Sequence, residues 1–512
     1  MMKRQLSILA AAALAFSLAA CSASPSVSNP SAASGTGITT ASSTVSLAGA
    51  TAFTFMDSGI TPAEGDYDGY QAEGTSLTIC AAGTYVVSGS CADGSIRIKA
   101  GTEDVVLVLN GLELTSTATA PIVCGKSTGV TLVVQSGTEN TLADTTANNK
   151  DSVDAGEDAE NAVLKCKDGS QVLLCGSGTL NINAAGKNGI KSGTENEGRE
   201  ASLTIRELTL NIDAPVNDAI NAEQTLNVES GTLNISAGDD AIHSDLTLNI
   251  GAEGTAGPVI TISDCYEGLE GAVLNIASGT IDVTASDDCL NAANSSLTDY
   301  AFAMNISGGT ITARTSEGDG FDSNGTLTIS GGTISVWTAN TADNQPLDAD
   351  GTITISGGTV LAAGGSAGMG YTIEASQPCV VYGGSMGTDA AFCLTEGSAF
   401  ALTDASGNVV SAGTAACSAS FVFYSSPELA ADAGYTLSAG DTQLAAASAQ
   451  TGTLSVRSGG AGGGKGGMTP PDSNGQTPPS GQPGQRPDQQ TGTPPEKPAG
   501  DPAVPQADTA EA

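Results

Sequence analysis

One short phrase, Gly-Gly-Thr-Ile, recurs along this chain and constrains its fold more than any other feature. It stands at Gly308 to Ile311 and Gly331 to Ile334, with Gly357-Gly358-Thr359-Val360 after it. Looser copies are Ser177-Gly178-Thr179-Leu180, Ser230-Gly231-Thr232-Leu233 and Ser278-Gly279-Thr280-Ile281. An alternating stretch precedes most of them: Leu226-Asn227-Val228, Leu274-Asn275-Ile276, Leu327-Thr328-Ile329 and Ile353-Thr354-Ile355. Alternation sends Leu, Ile and Val to one face and Asn, Thr and Ser to the other, which is the period of a strand. Units of about 21–31 residues cannot bury such a face alone, but stacked units can, each covering the same column of the one before. The expected fold is therefore all-β, a right-handed parallel β-helix with about a dozen coils between Thr75 and Tyr371. A leucine-rich repeat would need a helix or its own asparagine consensus, and a propeller needs units of about 40 residues or more.

Composition suits this reading. The 512 residues include 66 Gly but only 14% charged residues, a mix for short strands and tight corners rather than helices. Net charge is −38, from 55 acids against 17 Lys plus Arg, which disfavours nucleic acid or an anionic membrane surface as a direct partner.

The acids are not scattered. Aligned on the apolar residue that closes each corner, Asn217-Asp218-Ala219-Ile220 matches Asp239-Asp240-Ala241-Ile242, then Tyr266-Glu267-Gly268-Leu269, Asp287-Asp288-Cys289-Leu290 and Gly318-Asp319-Gly320-Phe321. Stacking then predicts one vertical file of Asp218, Asp240, Glu267, Asp288 and Asp319. A second file lies three residues on: Asn221, His243, Glu270, Asn291, Asp322 and Asp348, with Asp239 and Asp287 beside the first. Carboxylates held at strand spacing repel one another unless they are protonated or share a cation. Oxygen-only donors suit Ca²⁺, which takes six to eight oxygens, and the absence of Cys or His pairs here argues against softer metals. The expected Ca²⁺ ligands are Asp218, Asp239, Asp240, Glu267, Glu270, Asp287, Asp288, Asn291, Asp319, Asp322 and Asp348. The competing reading is that Asp simply favours corners. The lone His243 is expected to solvate a turn.

The ends read differently. Lys3 and Arg4 precede an apolar run from Leu6 to Ala20, too short for a span and ending in Leu18-Ala19-Ala20-Cys21, the pattern of a bacterial lipobox. Residues 1–20 are thus expected to be a lipoprotein signal peptide. Residues 21–50 form a Ser/Ala/Thr-rich tether that starts at a lipidated Cys21, leaving the chain exported and lipid-anchored, facing outward. Residues 51–377 are expected to form the β-helix and 378–457 a small β cap. Within the cap, Phe400 to Asp404 and Val409-Val410 read as a hairpin turning at Ser406-Gly407-Asn408, with further strands at Phe421 to Tyr424 and Tyr435 to Leu437. Residues 458–512, Gly-rich and then Pro-rich, are expected to be disordered. Besides Cys21 there are ten cysteines and no Cys-x-x-Cys pair, so disulfides and buried thiols are both open and a zinc site is disfavoured. The alignment also places Cys124 directly over Cys166.

Over 75–440 the chain resembles a family of bacterial carbohydrate-binding β-helix proteins related in shape to pectate lyases. The resemblance rests on Gly83-Thr84-Tyr85-Val86-Val87-Ser88-Gly89, Val105 to Gly111, Ser136 to Leu142, the Asp-Asp and Asp-Gly corners and the Gly-Gly-Thr phrases. It implies a Ca²⁺-bearing parallel β-helix that binds acidic plant polysaccharide such as polygalacturonate. The family's corner acids are kept at Asp218, Asp240, Asp288 and Asp319, whereas Asn188 and Gln345 depart from the pattern and put sites there in doubt.

Three functions compete. The first is a surface protein binding an acidic glycan through Ca²⁺. The second is a calcium-dependent polysaccharide lyase, for which Lys165, Lys187, Lys191 or Arg314 would have to serve as base. The third is an adhesin or structural protein without a sugar site. The reading leans away from catalysis. A single tryptophan, Trp337, argues against a flat aromatic platform for neutral glucans.

Overall fold

The computed structural model describes residues 47, 49–62, 65–67, 69–339, 344–365, 371–383 and 393–456. The expected signal peptide, Cys21 with nearly all of its tether, and the Pro-rich tail lie outside the described residues.

Alternating Leu-Asn-Ile and Leu-Thr-Ile stretches form strands, and apart from one 3-10 turn at Thr146–Asn148 no helix occurs among the described residues. Most strands belong to one large, mostly parallel sheet. Parallel partners are separated by one repeat of sequence. Gly129–Val134 pairs with Gln171–Gly176, which pairs with Ser202–Ile205 and then Thr225–Val228. A second ladder joins Glu139–Asp144, Thr179–Asn183, Thr209–Ala214 and Thr232–Ala237. A third joins Ser95–Ile98, Ile122–Cys124, Ala162–Cys166, Asn188–Ser192, Ile220–Ala222 and Ile242–Ile250. Each repeat therefore gives one segment to each of three ladders, which stacks equivalent side chains about 4.8 Å apart.

The third ladder shows what holds the stack. Ile96, Ile122, Leu164, Ile190, Ile220, Ile242, Leu269, Leu290 and Phe321 lie in one register-matched column, each 0% exposed. Each contributes roughly 1.5–3 kcal/mol of burial, which no isolated repeat could collect. Cys166 stands beside Cys124 as the alignment requires, and both are buried. All ten described cysteines are free thiols. At one corner, Gly176 has φ +115°, and a Cβ there would sit 2.2 Å from the Val134 carbonyl oxygen, so only glycine passes.

Asparagines lock the second ladder from outside. Asn211 Nδ2 donates to Asn181 Oδ1, and Asn234 Nδ2 to Asn211 Oδ1, both at 2.8 Å. The first ladder carries its own file, Asn227, Asn249, Asn275 and Asn305. Such bonds are worth roughly 0.5–1.5 kcal/mol each.

The ends of the large sheet are antiparallel. Thr51–Met56 pairs with Gly59–Thr61 at one end; at the other, Tyr371–Tyr382 pairs with Phe421–Ser425 and Gln450–Val456. Tyr371–Tyr382 is one strand running across the expected 377/378 boundary. A separate four-stranded antiparallel sheet joins Val409–Thr414, Ala399–Asp404, Gly434–Ala439 and Thr442–Ser448, and it contains the expected hairpin. Phe421–Ser425 belongs to the large sheet instead, because its Val422 and Phe423 pair with Ala363 and Ala362. A second apolar core lies here, built from Trp337, Tyr382, Leu394, Phe400 and Tyr424. Trp337 is buried within it, 5.8 Å from the Phe400 ring, so it offers no exposed platform.

Candidate functional site

The third ladder carries the site, because its inward column fixes everything on either side of it. Two residues before each inward apolar residue, backbone bonds tie Asp218 to Asp240, Asp240 to Glu267, Glu267 to Asp288 and Asp288 to Asp319 through the amides of Ala219, Ala241, Gly268 and Cys289. The first acid file thus exists as aligned. Asn188 precedes it and Gln345 follows it, through the amides of Gly189 and Gly320. One residue after each inward side chain, Asn221, His243, Glu270, Asn291 and Asp322 form the second file. Asp348 continues it, its amide bonding the Phe321 carbonyl.

These files do not behave uniformly along their length. Carboxylates of the first file partly cap the next corner: Asp218 accepts from the Asp240 amide at 3.3 Å, Asp288 from that of Asp319 and Asp319 from that of Gln345, both at 2.6 Å. Asn221 donates to Asp218, and Asn291 to Glu267. Burial nevertheless dominates. It pushes Asp288 up to about 8, Asp319 to about 7 and Glu267 to about 10, the last helped by Asp240 and Glu270. Asp218, Asp239 and Asp240 are raised as well, again chiefly by burial. Carboxyls this crowded and dry hold their protons unless a positive charge sits among them.

Two rungs gather ligand atoms within 4.8 Å of one another: Asp240, His243 and Glu270 in one, Asp319, Asp322 and Asp348 in the other. In the first, the positive charge is a side chain. His243 Nδ1 meets Asp240 at 2.9 Å and also Glu270, and Nε2 meets Asp245 at 2.8 Å. Burial opposes the charged imidazole, but the three carboxylates outweigh it and hold His243 protonated. His243 does more than solvate a turn, the role its local pattern suggests; its neighbours on adjacent rungs make it the counter-charge of the file.

The second centre has three carboxylates and, unlike the first, no histidine. It also has two orphaned acceptors in its files. Asn291 Oδ1, one rung before Asp322, and Gln345 Oε1, one rung after Asp319, are buried without a hydrogen-bond partner among the described residues. Unpaired buried amide oxygens cost free energy, and a hard cation would relieve them together with the carboxylates. Donor chemistry and spacing here fit Ca²⁺. Asp239 and Asp287 flank Tyr266, whose amide bonds the Asp239 carbonyl and whose carbonyl accepts from the Asp287 amide. Tyr266 is 47% exposed, an aromatic face beside the acid file.

Of the four basic residues considered as a base, Arg314, Lys187 and Lys191 are ion-paired, and Lys165 and Lys191 stand earlier in the second file's own column. Arg314 is in the second ladder, bound to Asp282 at 3.0 Å. Lys187 pairs with Asp151 at 2.6 Å. Lys165 and Lys191 face each other across adjacent strands in the column that becomes the second acid file.

A carbohydrate-binding domain-containing protein family model matches residues 73–368, more than half of the chain and all of the site. The chain belongs to this family. Among curated proteins, a carbohydrate-binding domain-containing protein of Acetivibrio thermocellus is 33% identical over 131 residues, which is 25% of this chain and 44% of that one. The chain thus spans less than half the length of this curated relative. Among solved structures, a polysaccharide lyase-like protein from C. thermocellum, studied as a gadolinium derivative, shares 21% identity at a TM-score of 0.32, covering 60% of this chain and 92% of that one.

Proposed function

We propose that this family member binds an acidic polysaccharide, of the polygalacturonate kind, through Ca²⁺ held at the second centre, and that it does not cleave it. The ladders are read as a right-handed parallel β-helix spanning 51–377, with 378–457 as a β cap. The protein is read as exported and lipid-anchored at Cys21, facing outward. The carrying observation is the Asp319, Asp322 and Asp348 group, whose oxygens lie within 4.8 Å of one another beside the orphaned oxygens of Asn291 and Gln345.

Asp319, Asp322 and Asp348 would hold the cation, and the bound cation would present open coordination positions to a uronate carboxylate. An acidic protein can hold an acidic polymer only if positive charge stands between them. Tyr266 offers a ring face for a sugar two rungs from Asp319. The binding reading is favoured over the lyase because Lys187 and Arg314 are ion-paired away from this centre.

Calorimetry with Ca²⁺, followed by a glycan array with and without chelator, tests the reading. Micromolar or tighter calcium binding and chelator-sensitive capture of de-esterified uronates are expected. Retention of uronates at full strength in chelator would overturn it.

A further inference from the structure

The column that carries the second acid file has an opposite half. Followed back from Asn221 it reads Lys191, Lys165, Val123 and Arg97, in unbroken register. Two residues on, Lys99 and Lys167 occupy the same outward face, since Ile98 and Cys166 between them point into the core. Five of the protein's 17 Lys and Arg residues therefore share one face of a few rungs, in a chain of net charge −38.

Acids around this patch offset it only in part, two buried or half-buried glutamates facing four of its cations. Buried Glu160 serves both Lys167, at 2.6 Å, and Arg97, at 3.6 Å. Glu223 serves Lys191 at 3.2 Å, and Lys191 also donates to Asn221 at 2.8 Å. Lys165 has no hydrogen-bond or ion-pair partner among the described residues. It is largely buried, and its ammonium is depressed first by that burial and then by Lys191 beside it, against an opposing pull from Glu223 and Glu160. Two lysines on adjacent rungs bring like charges close enough to repel, much as the carboxylates do further along. An anion between them would relieve that cost.

We propose that Lys165 and Lys191 form a cation-independent subsite for a carboxylate of the same acidic glycan, so that one chain lies along the column from ammonium groups to bound Ca²⁺. This rests on the glycan reading above and adds a direction and a minimum length to it. From Lys191 to Asp322 there are five register steps, through Asn221, His243, Glu270 and Asn291, or about 24 Å at 4.8 Å per step. A monosaccharide cannot bridge that distance; an oligosaccharide can.

The test uses the full chain and its Lys165→Met/Lys191→Met variant, which keeps the apolar stems and removes the charges. Binding is measured to polygalacturonate and to its fully methyl-esterified form, in calcium and in chelator. The expected result is about a tenfold loss for polygalacturonate in both conditions, with the esterified polymer and calcium affinity unchanged and the Lys165→Arg/Lys191→Arg variant restoring binding. On the unaltered protein, polygalacturonate should shield Lys165 and Lys191 from an amine-acylating reagent, as read by mass spectrometry. Unchanged binding by the Met variant, or unshielded lysines, overturns the subsite; if an Asp319→Asn/Asp322→Asn variant still loses calcium-dependent capture, the glycan reading survives. Equal binding of esterified and de-esterified polymer by the wild type overturns both.

Discussion

The rung of Asp240 and the rung of Asp319 use the same two positions of the repeat, yet they solve the same electrostatic problem differently. At Asp240 the neighbouring position is His243, whose two ring nitrogens contact three carboxylates. At Asp319 that position is Asp322, with Asp348 one rung on, so three acids converge where the other rung has an imidazolium. A built-in charge makes the first rung self-sufficient. The second has no imidazole among its three carboxylates, and under the reading proposed above a bound cation takes that role.

The comparison breaks most visibly at His243. Replacing it in His243→Leu strands Asp240 and Glu270, both buried to more than four-fifths at the side chain. A stability loss of about 3–5 kcal/mol is expected in chelator, by thermal or denaturant unfolding. Partial recovery in millimolar calcium would show that the two rungs are interchangeable; a loss indifferent to both conditions would show that His243 matters only for packing. Next in size, Asp319→Asn/Asp322→Asn should weaken calcium binding by thirtyfold or more, about 2 kcal/mol, while leaving the His243 rung's contribution to stability untouched. Calorimetry decides this, and retained affinity would relocate the centre.

Proton linkage separates the rungs further. Asp319 and Asp288 titrate in the fold near 7 and 8, above the 3.8 of a free aspartate. A raised carboxyl lends stability that is complete below its unfolded value and lost as pH climbs through its folded one. In chelator the melting temperature should therefore fall between about pH 4 and pH 8, and calcium should flatten that slope. A flat profile without calcium would remove the case for a crowded, dry file. The smallest effect is expected at Gln345→Met: about a threefold loss of calcium affinity, together with slightly higher stability in chelator, because a buried oxygen without a partner is removed.

Much of this was readable from the chain because register in a stacked sheet is set by its apolar column. Once Ile220, Ile242, Leu269, Leu290 and Phe321 are aligned, Asp218 to Asp319 must follow, and the pairing of Cys124 with Cys166 comes from the same rule. What escaped was side-chain partnership between rungs. His243 reaches a carboxylate 27 residues away, a contact that local pattern does not encode. The basic half of the column had a usable signal, since Lys165 and Lys191 each follow the inward Leu164 and Ile190 by one residue, as Asn221 follows Ile220. An alignment anchored on the acids passes over it. Phe421–Ser425 is a short apolar run buried along its whole length, and its choice of Ala362 and Ala363 as partners is a long-range event with no local mark.

The burial of Trp337 beneath Phe400 gives the molecule a natural optical probe. As the sole tryptophan, with its indole nitrogen donating to Ser335 at 2.9 Å, it reports on one place only: the contact between the last rungs of the ladder and the antiparallel sheet laid over them. Its emission should move to the red when that sheet lifts away, without any added dye. Opening of that end can then be followed separately from melting of the remaining rungs, whose fluorescence comes from tyrosine alone.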